Sequence, residues 1–163
     1  MIYLKIKKII WTDGGSSRTH SVYQGFLKTI DIKVDNILVH DGARPFVSIN
    51  LINSLLKEIS TKDFALPAIK TTDCIKKVED NKLITIENEN LHAIQTPQAF
   101  KKGVLNQAFI KWDKKTIYKD DAELIEKNIN SYNFSLVLGE DTNIKVTYKK
   151  DLFNNTNDFN GFF

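Results

Sequence analysis

Asn36-Ile37-Leu38-Val39-His40-Asp41-Gly42-Ala43-Arg44-Pro45 is the stretch from which the fold can be read. Its first half is a short apolar run of the kind that fills a buried strand. Its second half is polar, and the proline forbids easy continuation of the strand. In open α/β sheets ligands collect beyond the carboxyl ends of the strands, so a strand running into a charged loop marks a functional corner. This loop sets a carboxylate, Asp41, three residues from a guanidinium, Arg44. Arg44 can fork onto a phosphate, and Asp41 can orient a hydroxyl or approach a metal. The same pair also reads as a turn acid with its surface ion partner. His40, just before the turn, reads as a core-facing histidine.

Working outward, Leu4, Ile6, Ile9 and Ile10 form an apolar run that stops at Asp13-Gly14-Gly15-Ser16-Ser17, which reads as a strand entering a glycine turn. A helix is expected from about Ser21, carrying Val22, Phe26 and Ile30. Beyond the corner, Ser48 can cap a helix whose Ile52, Leu55, Leu56 and Ile59 share a face. Phe64 to Ile69 is strand-like, with Pro67 pointing to an edge or a bulge. Residues 71–93 alternate polar and apolar positions around Asp80-Asn81, which predicts a projecting β-hairpin. Two helices should follow, one through Val104, Leu105, Ala108 and Phe109, the other from about Asp120 through Leu124, Ile125 and Ile129. Phe134 to Leu138 and Asn143 to Thr147 read as two last strands. This order predicts an α/β domain over residues 1–153, a mainly parallel sheet covered on both faces, a hairpin arm at about 71–93, and an irregular tail at 154–163.

The 163 residues, 42% apolar and 26% charged, exclude a disordered tail, a fibre and a disulfide scaffold. A net charge of +3 is too small for the dense cationic stripe that binds nucleic acid. Cys74 is the single cysteine, which forbids an internal disulfide and suits a reducing compartment. No apolar stretch approaches the roughly 18 residues of a membrane span, and the start lacks the order of a secretion signal. A cytoplasmic protein is expected, or one of a plastid-type organelle in a eukaryote, with no nucleic-acid or membrane partner. His20, His40 and His92 are too scattered for a metal cage, so no metal ligand is assigned.

Further clusters carry polar chemistry. Gly14 and Gly15 let backbone amides approach a ligand at a helix amino end, and the same residues serve equally as a plain strand-to-helix turn with Ser21 as cap. Asp73-Cys74-Ile75-Lys76 lies at the hairpin root, and Gln95-Thr96-Pro97-Gln98 joins amides and a hydroxyl to a proline turn. Asp120-Asp121 opens a helix with two acids, where capping is the default explanation and a metal site the alternative. Lys145 sits between apolar neighbours on an alternating pattern, which calls for an acid or anion beside it unless the strand is an exposed edge.

Taken in order, Gly14-Gly15-x-x-Arg18-x-x-Ser21-Val22, Val39 to Pro45, Asp73 to Lys76, Gln95-Thr96-Pro97-Gln98-x-Phe100, Asp120-Asp121-Ala122 and Asn143 to Thr147 resemble the 2-C-methyl-D-erythritol 4-phosphate cytidylyltransferases over nearly the whole chain. Ribitol 5-phosphate cytidylyltransferases share several of these motifs. The resemblance implies a Rossmann-like nucleotidyltransferase sheet and transfer of CMP from CTP to methylerythritol phosphate, releasing pyrophosphate, in the non-mevalonate route to isoprenoids. By that resemblance Gly15, Ser16, Ser21 and Gly42 contact the nucleotide, Ser16 replacing a more usual acid. Asp41, Arg44 and Thr96 fall on the acceptor side. Lys145, with Asp41, is cast as catalytic, drawing the acceptor phosphate and the CTP α-phosphate together. Mg²⁺ would be held chiefly by the triphosphate.

The resemblance also has gaps. The family's first strand and glycine-rich phosphate loop have no counterpart before Lys5, so the chain is expected to be amino-terminally truncated relative to the family. Cys74 replaces a usual threonine, and Asn88 stands where an acceptor-binding arginine is expected. Lys119 replaces another threonine and offers a new positive charge. All three are carried as substrate-binding candidates. The hairpin arm implies a homodimer, since in the family it reaches the neighbouring subunit. The alternative is a non-catalytic remnant, or a subunit partner of a complete enzyme.

Overall fold

Ser17 opens the first helix. It sits in extended backbone and its hydroxyl accepts the His20 N–H, satisfying one of the free donors at the start of α1 (Arg18–Leu27). The sequence puts this start near Ser21, but the Ser21 hydroxyl turns back to donate to Ser17 O at 2.9 Å. The computed structural model describes residues 9–152. The expected first strand through Leu4 and Ile6 and the tail at 154–163 fall outside the described residues, and Ile9 and Ile10 have no regular structure.

The described residues pack as two units, one comprising residues 9–37 and 101–132, the other 38–100 and 133–152. In the first, α1 is followed in space by α3 (Lys102–Lys111) and α4 (Asp121–Asn128). Its core is aromatic: Tyr23 and Phe26 of α1 meet Phe109 of α3 with ring centroids 5.1 and 5.0 Å apart, and Trp112 closes the group. Leu105, Ala108, Tyr118, Ala122, Leu124 and Ile125 complete the buried apolar set. The ammonium of Lys102 donates to the carbonyls of Thr29, Ile30 and Ile32, placing a cation on the turns that follow α1.

The second unit is built on β2 (Phe64–Lys70), with the boundary between units falling inside β1 (Asn36–Val39) and β6 (Gln98–Lys101). β2 pairs in parallel with β7 (Phe134–Leu138) on one side. On the other it pairs antiparallel with β5 (His92–Ile94) and β6, and β1 lies beyond β6. The sheet is therefore mixed rather than mainly parallel. β5 and β6 return directly from a hairpin with no helical crossover, and a direct return runs antiparallel. Helix α2 (Ile49–Glu58), capped by Ser48, lays Leu51, Leu55 and the following Ile59 on Ala65 and Ala99. Leu56, expected on that face, is 38% exposed.

Pro67 lies in the central strand, not at an edge. A backbone donor at this position would face the β5/β6 side, where the Pro67 carbonyl accepts the Gln95 N–H at 2.8 Å. There the partner strand breaks: Ala65 pairs with Ala99 and Ala68 with Ile94, leaving extra residues at Thr96-Pro97. The missing donor thus costs no ladder bond. The hairpin is present as β3 (Ile75–Glu79) and β4 (Lys82–Ile86), joined by Asp80 and Asn81 at φ 49° and 59°, the two-residue turn with left-handed backbone that matches strand twist. Asn143 to Thr147 forms no strand. Asn143 is fully buried and Val146 N–H bonds Ala43 O, so this segment is a loop tied to the β1 corner.

Candidate active site

At the end of β1 the loop turns so that Asp41 meets two cations. Lys145 Nζ lies 2.9 Å from Asp41 Oδ2, and Arg44 Nε lies 3.8 Å from the same oxygen. Arg44 also donates through Nη1 to Asn143 O at 2.7 Å, while its Nε makes no hydrogen bond among the described residues. Burial pushes the Arg44 guanidinium below its usual range, and Asp41 opposes that shift. Lys145 stays half exposed beside a largely buried carboxylate. The result is two cationic side chains around one shared acid, donors of the kind that bind a phosphate.

The backbone of the corner is held from below. Thr96 Oγ1 accepts the Asp41 N–H at 3.0 Å and lies 3.1 Å from His40 Nδ1. His40 Nε2 is 2.8 Å from Arg44 O, which can only accept, so Nε2 carries the proton and Nδ1 takes the threonine hydroxyl hydrogen. His40 is exposed rather than core-facing. Thr96 is buried, its hydroxyl engaged in holding Asp41. Gln95 bridges Glu140 through both ends of its amide, and Ser48 donates to the Glu140 carboxylate at 2.6 Å. A side chain at Gly139 would come within 2.8 Å of Gln95 Oε1, which is why no Cβ fits there.

In the other unit, Gly15 N–H donates to Ser21 Oγ at 2.9 Å, bringing Gly15 and Ser21 together on the turn that contains Ser16. A Cβ at Gly15 would sit 2.2 Å from His20 Cβ, so the turn can press on the first turn of α1 only with glycine. His20 is fixed by Ser17 at one nitrogen and faces Lys114 O at the other. Arg18 Nη2 reaches Asp121 Oδ2 at 2.6 Å. Asp120 caps α4 by accepting the Glu123 N–H, so of the two acids one is a cap and the other pairs with Arg18.

A profile of the 2-C-methyl-D-erythritol 4-phosphate cytidylyltransferase family matches residues 1–157. The chain belongs to this family. It is 42% identical over 141 residues to the cytidylyltransferase of Bacillus velezensis, a match covering 85% of this chain and 60% of that protein. It is 35% identical over 153 residues to a bifunctional IspD/IspF enzyme of Pelagibacter ubique, covering 93% of this chain and 40% of that one. Among solved structures, the cytidylyltransferase of Thermus thermophilus superposes with a TM-score of 0.77 at 30% identity, covering 88% of this chain and 69% of its own. The synthase of Anaerococcus prevotii gives 0.80 at 28%, covering 90% and 68%. The chain thus spans about 60% of the length of the curated cytidylyltransferases it matches.

The positions expected from the resemblance to depart from the family pattern are also placed. Cys74 and Asn88 line one open hollow of about 600 Å³ at the hairpin root, with Thr72, Thr85 and Glu87. The Asn88 amide donates to Asp73 O at 2.9 Å and Thr71 O at 3.4 Å, closing the root of the hairpin. Lys119 is exposed just before α4, its N–H donating to Glu123 Oε2 at 2.7 Å. Gly42 is exposed on the corner loop. Sequence reasoning missed the roles of His40, Glu140 and Asn143. An isolated amide or carboxyl has no periodic signal, and only the polar run after β7 hinted at them. No group of three or more potential metal ligands occurs among the described residues, and no described helix is long and apolar enough to cross a membrane.

Proposed function

We propose that this chain takes part in transfer of CMP from CTP to 2-C-methyl-D-erythritol 4-phosphate. The observation that carries this reading is the corner where Lys145, Arg44 and Asp41 meet, with Arg44 Nε unspent. Arg44 and Lys145 would receive the acceptor phosphate, and Asp41 would hold both cations until it arrives. An acceptor phosphate oxygen then attacks the α-phosphorus of CTP. The new O–Pα bond forms as the bond to the pyrophosphate oxygen breaks, and pyrophosphate leaves with the electron pair. Lys145 opposes the repulsion between the two phosphates and lines them up, which is the main work a protein does in phosphoryl-type transfer. Gly15, Ser16 and Ser21 would take the cytosine, and Gly42 would approach the nucleotide from the corner loop.

Asp41 already faces two cations, so this corner is a poor resident metal site. Mg²⁺ fits better as part of the MgCTP substrate, where it neutralises charge on the departing pyrophosphate. The exposed apolar pair Val78 and Leu83 on the hairpin, 69% and 74% exposed, supports a homodimer built through the arm. We place the protein in the cytoplasm, where CTP is available.

The test is pyrophosphate release from CTP, Mg²⁺ and methylerythritol phosphate, with ribitol 5-phosphate run in parallel. Turnover with methylerythritol phosphate that falls about 100-fold or more in Lys145→Ala supports the reading. Turnover only with ribitol phosphate reassigns the acceptor. Absence of turnover with both leaves the remnant or partner-subunit reading, which the Asn88 amide, spent on the hairpin backbone, favours.

A further inference from the structure

Lys145 has a long, flexible stem, so its place over Asp41 must be set by the backbone that carries it. That backbone is pinned on both sides. Val146 N–H donates to Ala43 O at 2.8 Å. Two residues before Lys145, Asn143 is wholly buried and makes the denser set of contacts. Its Nδ2 donates to Thr96 O at 2.9 Å and approaches Gln95 Oε1 at 3.4 Å. Its carbonyl accepts from Arg44 Nη1 at 2.7 Å and from Gln95 Nε2 at 3.3 Å. Thr96, the target of the amide, is the residue whose hydroxyl holds the Asp41 N–H. One side chain and its own carbonyl therefore join the stretch carrying Lys145, the guanidinium and the support of the carboxylate.

We propose that Asn143 is a positioning residue: by holding Thr96 and Arg44 it sets Lys145 over Asp41 and so presents the two cations to one phosphate. This rests on the proposed acceptor site. A residue that only filled volume would not need a donor, whereas here the amide N–H₂ faces a carbonyl that nothing else on Asn143 can satisfy. Replacing that N–H₂ by a carboxylate oxygen in Asn143→Asp keeps shape and opposes Thr96 O.

The experiment is a double-mutant cycle on methylerythritol phosphate binding by calorimetry, with wild type, Asn143→Ala, Lys145→Ala and the double variant. Loss of about 10-fold or more in affinity is expected for Asn143→Ala, and because part of that loss runs through Lys145, the double variant should lose clearly less than the product of the two single losses. The same fold-loss from Asn143→Ala in the Lys145→Ala background would overturn the proposal, because Asn143 would then act independently of Lys145. Asn143→Asp should be as impaired as alanine and Asn143→Ser partly restored. These variants also serve if the alanine protein does not fold. If wild type binds no methylerythritol phosphate, the functional reading fails and a second readout judges Asn143. The Lys145 side-chain methylene resonances should move in Asn143→Ala in the direction they move in Asp41→Asn. Unmoved resonances would overturn the positioning role.

Discussion

Asp41 is read best as a shared acid whose value depends on what holds it. Its backbone N–H is satisfied by the hydroxyl of the buried Thr96. Thr96→Val, which keeps the shape and removes the acceptor, is expected to cost about 1–3 kcal/mol in urea unfolding. It should also weaken acceptor binding more than CTP binding. The charged pair at 41 and 44 was legible because the strand, glycine and proline around it fix a corner in local terms. Lys145 was legible as a lysine needing an acid, and Asp41 supplies one. His40 was misread because a histidine at a strand end gives no sign of its direction. The linking amides Gln95 and Asn143 were opaque because their partners lie about fifty residues away in sequence or at the far end of a loop.

Elements were legible where period and punctuation agreed. The helix after Ser48, the strand from Phe64, the hairpin and the strand from Phe134 fall where expected, because caps, turn residues and apolar spacing all point the same way. Strand direction was not legible, since an apolar run looks the same in either sense. Asn143 to Thr147 alternates like a strand yet folds as a loop, because its buried side chain bonds a turn rather than packing on a sheet. Ser48 both caps α2 and donates to Glu140, so Ser48→Ala should cost about 1 kcal/mol or more in chemical denaturation. Between α3 and α4, Asp113 accepts from the N–H groups of Thr116 and Lys115 and from the Thr116 hydroxyl, which holds its carboxyl below the usual range. That stabilisation is present above the ordinary carboxylate pKa and is lost as pH falls through the lowered one. The stability gap between wild type and Asp113→Ala should therefore be widest near neutrality and close as the solution is acidified below about pH 4.

At the scale of the molecule, each unit has a core of its own, aromatic around Phe109 in one and aliphatic around Leu55 in the other. The proposed dimer rests on the hairpin, and Val78→Lys with Leu83→Lys is expected to yield monomers in sedimentation without lowering the melting temperature. Unchanged sedimentation as a dimer would place the interface elsewhere. The tip of that hairpin has one further use. Asp80 and Asn81 close it with a turn whose flanking strands, among the described residues, pair only with each other. A fluorophore attached through Asn81→Cys, with Cys74 changed to serine, would therefore sit on the turn without breaking a strand pair. Energy transfer between tips labelled on different copies would then report assembly in real time.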